Sequence, residues 1–351
     1  MILLLLAACQ DAATPLPPPG TFQPPFRDQP TLPPPTWREG AEVISLQNAP
    51  RIEYLGRLDA RTTPSTVFAY AFSPDGTRLA GMNNEQIIAW DLVTGELIFN
   101  TARTDGVYIY YSPDKSELYT VKTSGQISVY NADTGQFQID MEGQRDFNGM
   151  VAYHPDIGLL ALGGVDGQVR VWDVAERQSL ITLEAHGQPV TALAFSSDGE
   201  RLATAGNEGV VSIWDWRERT LLTRFQATAS RLVFSPDGAQ IAVALERQIG
   251  LWNTADGAAM GTLNTLPGAA LFYSPDGQYV LTANASASMS IWDAQTATLV
   301  NTLPGVSGDV LTAAFSPNSE LLVTAVLGGL VSLWDMSAIR GQQLVRADLP
   351  V

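Results

Sequence analysis

Few side chains in this sequence could carry out covalent chemistry. The chain contains two histidines, His154 and His186, and one cysteine, Cys9. A hydrolase of the Ser–His–Asp type needs a histidine within hydrogen-bond reach of a nucleophile, and no nucleophile-elbow sequence accompanies His186. His154 stands in a turn where other segments carry serine, so we interpret it as structural. The sequence therefore predicts no catalytic residue.

Metal and phosphate sites need residue groupings that the sequence lacks. Zinc and calcium sites require clustered Cys, His or carboxylate ligands, and no such spacing occurs. The glycine-rich stretch around Gly164 and Gly167 joins two predicted strands and opens no helix, unlike a phosphate-binding loop. Glycoside hydrolysis needs two facing carboxylates, which only loop acids could supply: Glu85, Asp105, Asp146, Asp166, Glu208 and Glu246. We expect no metal, no cofactor and no enzymatic activity.

The charge balance argues against nucleic acid as a partner. Lys and Arg total 20 against 36 Asp and Glu, which gives a formal net charge of −16. A nucleic-acid-binding protein needs a basic surface that displaces counterions. Anionic membrane surfaces are disfavoured for the same reason. The acidity is typical of a soluble surface.

The first nine residues are an apolar run that ends at Cys9. The run is too short to span a bilayer, and its length is typical of a signal-peptide core. Leu6-Ala7-Ala8-Cys9 resembles the bacterial lipobox, which implies lipidation of Cys9, although no Lys or Arg precedes the run. Lipid chains on Cys9 would anchor the protein stably. We expect an extracytoplasmic, membrane-anchored lipoprotein in the cell envelope.

Residues 10–50 are predicted to be a disordered, proline-rich linker and lead-in. Ten of the 22 prolines lie between Pro15 and Pro35. This composition favours polyproline II and cannot form a packed core. At about 3.1 Å per residue, the proline-rich part could extend roughly 65 Å from an anchor.

The body of the chain is built from one repeated unit. Seven aromatic residues end a predicted first strand and open a turn: Phe72, Tyr111, Tyr153, Phe195, Phe234, Tyr273 and Phe315. Each is followed 18 or 19 residues later by a second aromatic, and these are Trp90, Tyr130, Trp172, Trp214, Trp252, Trp292 and Trp334. The second aromatics are spaced 38 to 42 residues apart. A period near 40 with four short strands is typical of propeller blades. We predict an all-β, seven-bladed β-propeller of four-stranded antiparallel blades over residues 51–340.

The closing strand of the ring has two candidates. Six fourth strands can be assigned between the seven sets of three, so a terminus must supply the seventh. We favour residues 51–59, which immediately precede the first blade. The alternative is residues 342–347, within a segment, 341–351, that is otherwise a tail. Either choice leaves no long free edge.

The repeated aromatic-Asp/Asn pairs resemble the WD-repeat family. Together with the lipobox and the proline-rich linker, the chain is similar to bacterial exported WD-repeat lipoproteins. The family's hydrogen-bonded tetrad of Trp, Ser/Thr, His and Asp is approached in one blade by Trp214, Thr204 and His186, with Glu208 at the acidic position. The resemblance implies that His186 and Thr204 are structural.

Function is predicted from the loops at one end of the propeller. Arg and aromatic side chains are the usual interface anchors, and the loop candidates are Arg61, Arg103, Arg145, Phe147, Arg231 and Arg247. Arg231 is the most unusual because it lies in a first strand where other blades carry Ala, Tyr, Met or Thr. We predict a monomeric, non-catalytic platform that binds protein and reaches the membrane only through its lipid anchor. Two alternatives are a propeller that binds or hydrolyses a glycan or small ligand at its central mouth, and a cytoplasmic scaffold.

Overall fold

The computed structural model describes residues 69–75, 77–82, 86–91, 96–102, 105–267, 271–283 and 289–303, and the backbone of four strands between 310 and 349. Cys9, the proline-rich segment, residues 51–59, Arg61 and Arg103 lie outside the described residues. Within these ranges, no helix is long and apolar enough to cross a membrane.

The described chain forms seven four-stranded antiparallel sheets, numbered here as blades 1 to 7. The first four blades contain β1 (Ala69–Phe72), β2 (Arg78–Met82), β3 (Gln86–Asp91) and β4 (Leu97–Ala102); β5 (Gly106–Tyr111), β6 (Glu117–Lys122), β7 (Ile127–Asn131) and β8 (Phe137–Met141); β9 (Phe147–His154), β10 (Leu159–Gly164), β11 (Gln168–Asp173) and β12 (Gln178–Glu184); and β13 (Val190–Phe195), β14 (Arg201–Gly206), β15 (Val210–Asp215) and β16 (Thr220–Gln226). The last three contain β17 (Arg231–Phe234), β18 (Gln240–Ala244), β19 (Ile249–Asn253) and β20 (Ala259–Leu263); β21 (Leu271–Tyr273), β22 (Tyr279–Ala283), β23 (Met289–Asp293) and β24 (Leu299–Leu303); and β25 (Val310–Phe315), β26 (Leu321–Val326), β27 (Val331–Asp335) and β28 (Arg346–Leu349). This architecture confirms the predicted all-β, seven-bladed propeller.

The turn between the first and second strands is held by a repeated Ser-x-Asp contact. In blade 4, Ser196 Oγ donates to Asp198 Oδ1 at 2.5 Å, and the Arg201 amide donates to Ser196 Oγ at 2.9 Å. The same pair of bonds recurs in blades 1, 2, 5 and 6. Serine and aspartate suit this position because their short side chains bond the backbone of their own turn.

The last blade corrects the preferred closing strand. Its fourth strand is β28, which pairs antiparallel with β27 from Trp334↔Arg346 to Val331↔Leu349. The choice of residues 51–59 was wrong, and the C-terminal alternative was closer. An antiparallel ladder accepts any extended segment that reaches its edge, so a strand pattern alone does not identify which terminus supplies it.

The apolar core lies between blades. In the described residues, five clusters each combine side chains from two successive blades, from blades 1 and 2 to blades 5 and 6. Between blades 3 and 4, for example, Val169 and Val171 pack with Leu202, and all three are 0% exposed. Burying each such side chain stabilises the fold by about 1.5–3 kcal/mol. Each blade is therefore stable only against its neighbours.

The two ends of the blades carry different connections between strands. The turn face carries the first-to-second and third-to-fourth turns, and the loop face carries the second-to-third turns and the connections between blades. On the turn face, ion pairs join neighbouring blades, including Lys115–Asp75 at 2.6 Å and Arg177–Glu117 at 2.6 Å. The described candidates predicted from the sequence, Arg145, Phe147, Arg231 and Arg247, belong to the loop face.

Candidate functional site

Blade 4 contains a complete hydrogen-bonded tetrad that ends at the loop face. Trp214 Nε1 donates to Thr204 Oγ1 at 3.0 Å, and His186 Nε2 lies 2.8 Å from the same oxygen. His186 Nδ1 lies 2.6 Å from Glu208 Oε1. Every group is satisfied when Nδ1–H donates to Glu208 and Thr204 donates to Nε2. The His186 side chain is 0% exposed, so it has no access to a substrate and acts as a structural link.

Other blades retain only parts of this tetrad. In blade 6, Trp292 Nε1 donates to Thr282 Oγ1 at 3.0 Å. In blade 3, Leu162 takes the threonine position, and the buried Trp172 Nε1 has no hydrogen-bond partner. In blade 2 the tryptophan is replaced by Tyr130, and the buried Thr120 Oγ1 is left without a partner.

The repeated aromatic residues lie in the core, as their spacing suggests. Trp90, Tyr130, Trp172 and Trp292 are buried, and Trp214 and Trp252 are partly buried. Trp252 stacks on Phe225 of blade 4 with ring centroids 5.2 Å apart. The Trp334 side chain lies outside the described residues.

The inner strands of blades 2 and 3 form a tyrosine-lined wall. Tyr108 and Tyr110 lie parallel with ring centroids 6.4 Å apart, and Tyr110 lies 4.6 Å from Tyr153. Tyr108 Oη donates to the Gly149 carbonyl at 2.7 Å, and Tyr153 Oη donates to the Tyr111 carbonyl at 2.6 Å. These two bonds hold Tyr108 and Tyr153 against neighbouring strands, and all three rings are half-buried.

Arg231 of blade 5 interacts electrostatically with Tyr108. Burial raises the pKa of Tyr108, and the Arg231 guanidinium opposes that rise. Burial lowers the pKa of Arg231, and Tyr108 opposes that fall. This electrostatic interaction links two blades that are not neighbours. Arg231 is nevertheless exposed at the first residue of its strand.

The structure separates the remaining loop-face candidates. Arg145 is exposed in the connection that precedes β9, and Arg247 is exposed in the turn between β18 and β19. Phe147 is half-buried and packs against the core between blades 2 and 3. Phe147 is thus engaged within the fold, whereas the two arginines are accessible at the face.

Three of the described loop acids make local contacts. Glu208 bonds His186, Asp166 accepts from the Gln168 amide at 3.0 Å, and Asp105 lies 3.8 Å from Lys122. Asp146 and Glu246 are exposed. In the part of the chain that the structure describes, no three His, Cys, Asp or Glu side chains converge in a way that could hold a metal ion.

The tyrosine wall was missed by reasoning from the sequence. Tyr108 and Tyr110 occupy inner-strand positions where blade 4 carries Ala192 and Ala194. That exchange of small for aromatic residues was the available signal. Tyr108 lies at the position equivalent to Arg231, where only the charged residue was predicted to be functional.

The fold and the tetrad define a WD-repeat β-propeller. Residues 297–335 match the family described as WD domain, G-beta repeat. A larger match, over residues 61–291, is to the family described as Nucleolar protein 10-like, N-terminal domain, and the chain belongs to that family.

Three individual proteins are similar to this chain, each over a different part of its length. The Meiotic recombination protein rec14 of Schizosaccharomyces pombe is 28% identical over 105 residues, which cover 29% of this chain and 35% of that protein. A chain in a crystal structure of the Mitotic Checkpoint Complex has a TM-score of 0.64 and 24% identity, covering 77% of this chain and 87% of that chain. The computationally designed Ika8 protein has a TM-score of 0.66 and 21% identity, covering 81% of this chain and 87% of its own. These two structures share the fold alone.

Proposed function

We propose that this protein is a non-catalytic platform that binds a protein partner at the mouth of the propeller, on the loop face. The observation that carries this proposal is Arg231, an exposed arginine at the first residue of an inner strand, on a face that also carries the exposed Arg145 and Arg247. Arginine is enriched among the side chains that dominate interface energies.

The chemistry of the mouth favours an acidic side chain on the partner. Arg231 is an exposed cation at the mouth, and a carboxylate forms a strong charge-assisted hydrogen bond with a guanidinium. Arg145 and Arg247, both exposed on the same face, extend the contact surface.

The test is an in-cell crosslink and pull-down, with the captured material identified by mass spectrometry. Arg231→Glu reverses the charge at the mouth, and we expect it to abolish recovery of the partner. Arg224→Glu is the matched control because Arg224 is exposed on β16, an outer strand, and the charge change is the same. Breaking a charge pair that becomes buried in the complex costs roughly 2–5 kcal/mol of binding free energy, or a loss of more than about 30-fold in affinity.

Two results would overturn the platform. Recovery of the same protein with wild type and with Arg231→Glu would remove the mouth from the interaction. Recovery of a glycan or small metabolite with no protein would favour the ligand-binding alternative.

We also propose that Cys9 is lipidated and anchors the propeller outside a bacterial membrane. This proposal rests on the sequence Leu6-Ala7-Ala8-Cys9 and on the proline-rich segment that follows. Labelled palmitate should be incorporated into the full chain and not into Cys9→Ser. Equal labelling of the two, or none in either, would leave the cytoplasmic scaffold as the better explanation.

A further inference from the structure

A groove on the turn face separates blades 5 and 6. It has a volume of about 480 Å³. Blade 5 contributes Gln240, and blade 6 contributes most of the lining, including Gly277, Tyr279, Asp293, Ala294 and Gln295. This groove lies at the opposite end of the blades from the mouth.

The equivalent position between blades 4 and 5 is filled by an arginine. Arg201 of blade 4 donates to Thr254 Oγ1 of blade 5 at 3.3 Å, and its guanidinium carbon lies 5.6 Å from the centre of the Phe234 ring. A Cβ atom placed on Gly238 would lie 2.1 Å from Arg201 Nη2. The guanidinium therefore occupies the space beside this glycine.

An arginine also joins blades 1 and 2. Arg78 stands at the same position of its turn as Arg201, five residues after the turn serine. Its Nη1 lies 2.6 Å from Asp133 Oδ1 of blade 2. In two junctions, then, an arginine from one blade enters the groove of the next.

Blade 5 has Gln240 at this position, and the groove beside it stays open. Tyr273 replaces Phe234 and Gly277 replaces Gly238, so the aromatic ring and the glycine are kept. Ala294 replaces Thr254, the residue whose hydroxyl group Arg201 bonds. A Cβ atom placed on Gly277 would have a carbon of Pro236, 3.6 Å away, as its nearest neighbour. No guanidinium stands beside this glycine, because the glutamine side chain is shorter than arginine.

The open groove carries a carboxylate where the two arginine-filled junctions carry an amide. Asp293 takes the place of Asn131 in blade 2 and Asn253 in blade 5. Backbone and side-chain hydrogen bonds from Thr296 help to lower the pKa of Asp293, so its carboxylate is ionised at neutral pH. The sequence has no Lys or Arg between Arg247 and Arg340, so no basic residue of blade 6 neutralises this charge.

We propose that this groove binds an arginine side chain presented by a partner protein, which supplies the guanidinium that the chain itself inserts at two other junctions. A planar guanidinium fits this site because it can bond a carboxylate with two donors and stack on an aromatic ring. Asp293 and Gln295 provide acceptors, and the half-buried Tyr279 provides the ring. The site is independent of the mouth on the loop face.

The test uses the ¹⁵N-labelled full chain and an N-acetylated, C-amidated Gly-Arg-Gly peptide. We expect amide shifts centred on Gly277 and Gln295, with a dissociation constant on the order of 1–10 mM. The peptide with citrulline in place of arginine keeps the shape and loses the charge, and should bind at least fivefold more weakly. The peptide with lysine should also bind more weakly, because an ammonium lacks the planar fork.

Two variants make the assignment specific. Gln240→Arg should fill the groove from within and abolish the shifts. Asp293→Asn should weaken binding at least fivefold and still fold, because asparagine serves the same turn in blades 2 and 5. Asp215→Asn, at the equivalent turn of blade 4, is the control and should bind as wild type does.

The proposal is wrong if no localised shifts appear at about 20 mM peptide, far above the expected dissociation constant. It is also wrong if Gln240→Arg leaves the shifts intact, or if Asp215→Asn weakens binding as much as Asp293→Asn. Equal affinity for the lysine and arginine peptides would overturn the selectivity for arginine.

Discussion

Replacing Thr204 by valine tests whether the tetrad of blade 4 stabilises the fold. Valine keeps the shape of the side chain and removes only the hydroxyl group. That hydroxyl serves two partners, Trp214 Nε1 at 3.0 Å and His186 Nε2 at 2.8 Å. In Thr204→Val both nitrogens lose their partner inside the protein.

The cost follows from the number of groups left unpaired. A buried polar group without a hydrogen bond costs about 1–3 kcal/mol. Two such groups give a loss of roughly 2–4 kcal/mol in the free energy of unfolding, with the indole at the lower end because Trp214 is partly accessible. Thr282→Val in blade 6 removes the single bond from Trp292 Nε1. It should cost about 1–2 kcal/mol, since only one group is orphaned.

The assay is urea unfolding followed by tryptophan fluorescence, with both variants measured beside the wild type. The comparison between the two variants matters more than either absolute value, because both remove one hydroxyl from the same strand position. Equal losses for Thr204→Val and Thr282→Val would refute the reasoning. So would a loss below about 0.5 kcal/mol for Thr204→Val, which is the scale of an ordinary surface substitution.

Three further outcomes are expected. Hydrogen bonds from the turn serines lower the pKa of Asp114 and Asp237. A depressed carboxylate pKa stabilises the fold above the unfolded value of about 3.9, so the urea midpoint should hold steady down to about pH 5 and fall below about pH 4. The difference in stability between wild type and Asp114→Asn should shrink below about pH 4. Ala297→Gly should raise the free energy of unfolding by about 0.5–1 kcal/mol, since Ala297 has a φ of 56°, and an unchanged midpoint would contradict this. Gly167→Ala should lower it by about 2 kcal/mol or more, because its φ is 81° and a Cβ would lie 2.1 Å from the His186 carbonyl oxygen; a wild-type melting temperature would count against it.

The blade architecture was predictable because each unit repeats its local chemistry. The serine and aspartate of a turn such as Ser235–Asp237 bond each other within three residues, so a sequence pattern reports them directly. The closing strand was not predictable in this way. Its pairing with β27 is a non-local contact, and both termini offered an extended segment of suitable length.

The mouth was only half predictable. Arg231 was identified because it departs from its counterparts in the other blades. Its electrostatic interaction with Tyr108 of blade 2 depends on the number of blades and on the closure of the ring. No local pattern encodes that placement. The groove beside Gln240 was also not predictable from the sequence. The glutamine indicates an open groove only once the structure shows that arginines fill the equivalent position at other junctions.

The location of the apolar clusters determines how this molecule opens. Each of the five inter-blade clusters contains side chains of two blades, so the smallest cooperative unit is a pair of adjacent blades. A destabilising substitution in one cluster therefore weakens both blades that form it. Local opening should therefore spread around the ring in steps of one interface. Blade 3 has an unpaired indole at Trp172, and it is stabilised by packing against blades 2 and 4. The propeller thus tolerates imperfect repeats because no blade has to be stable alone.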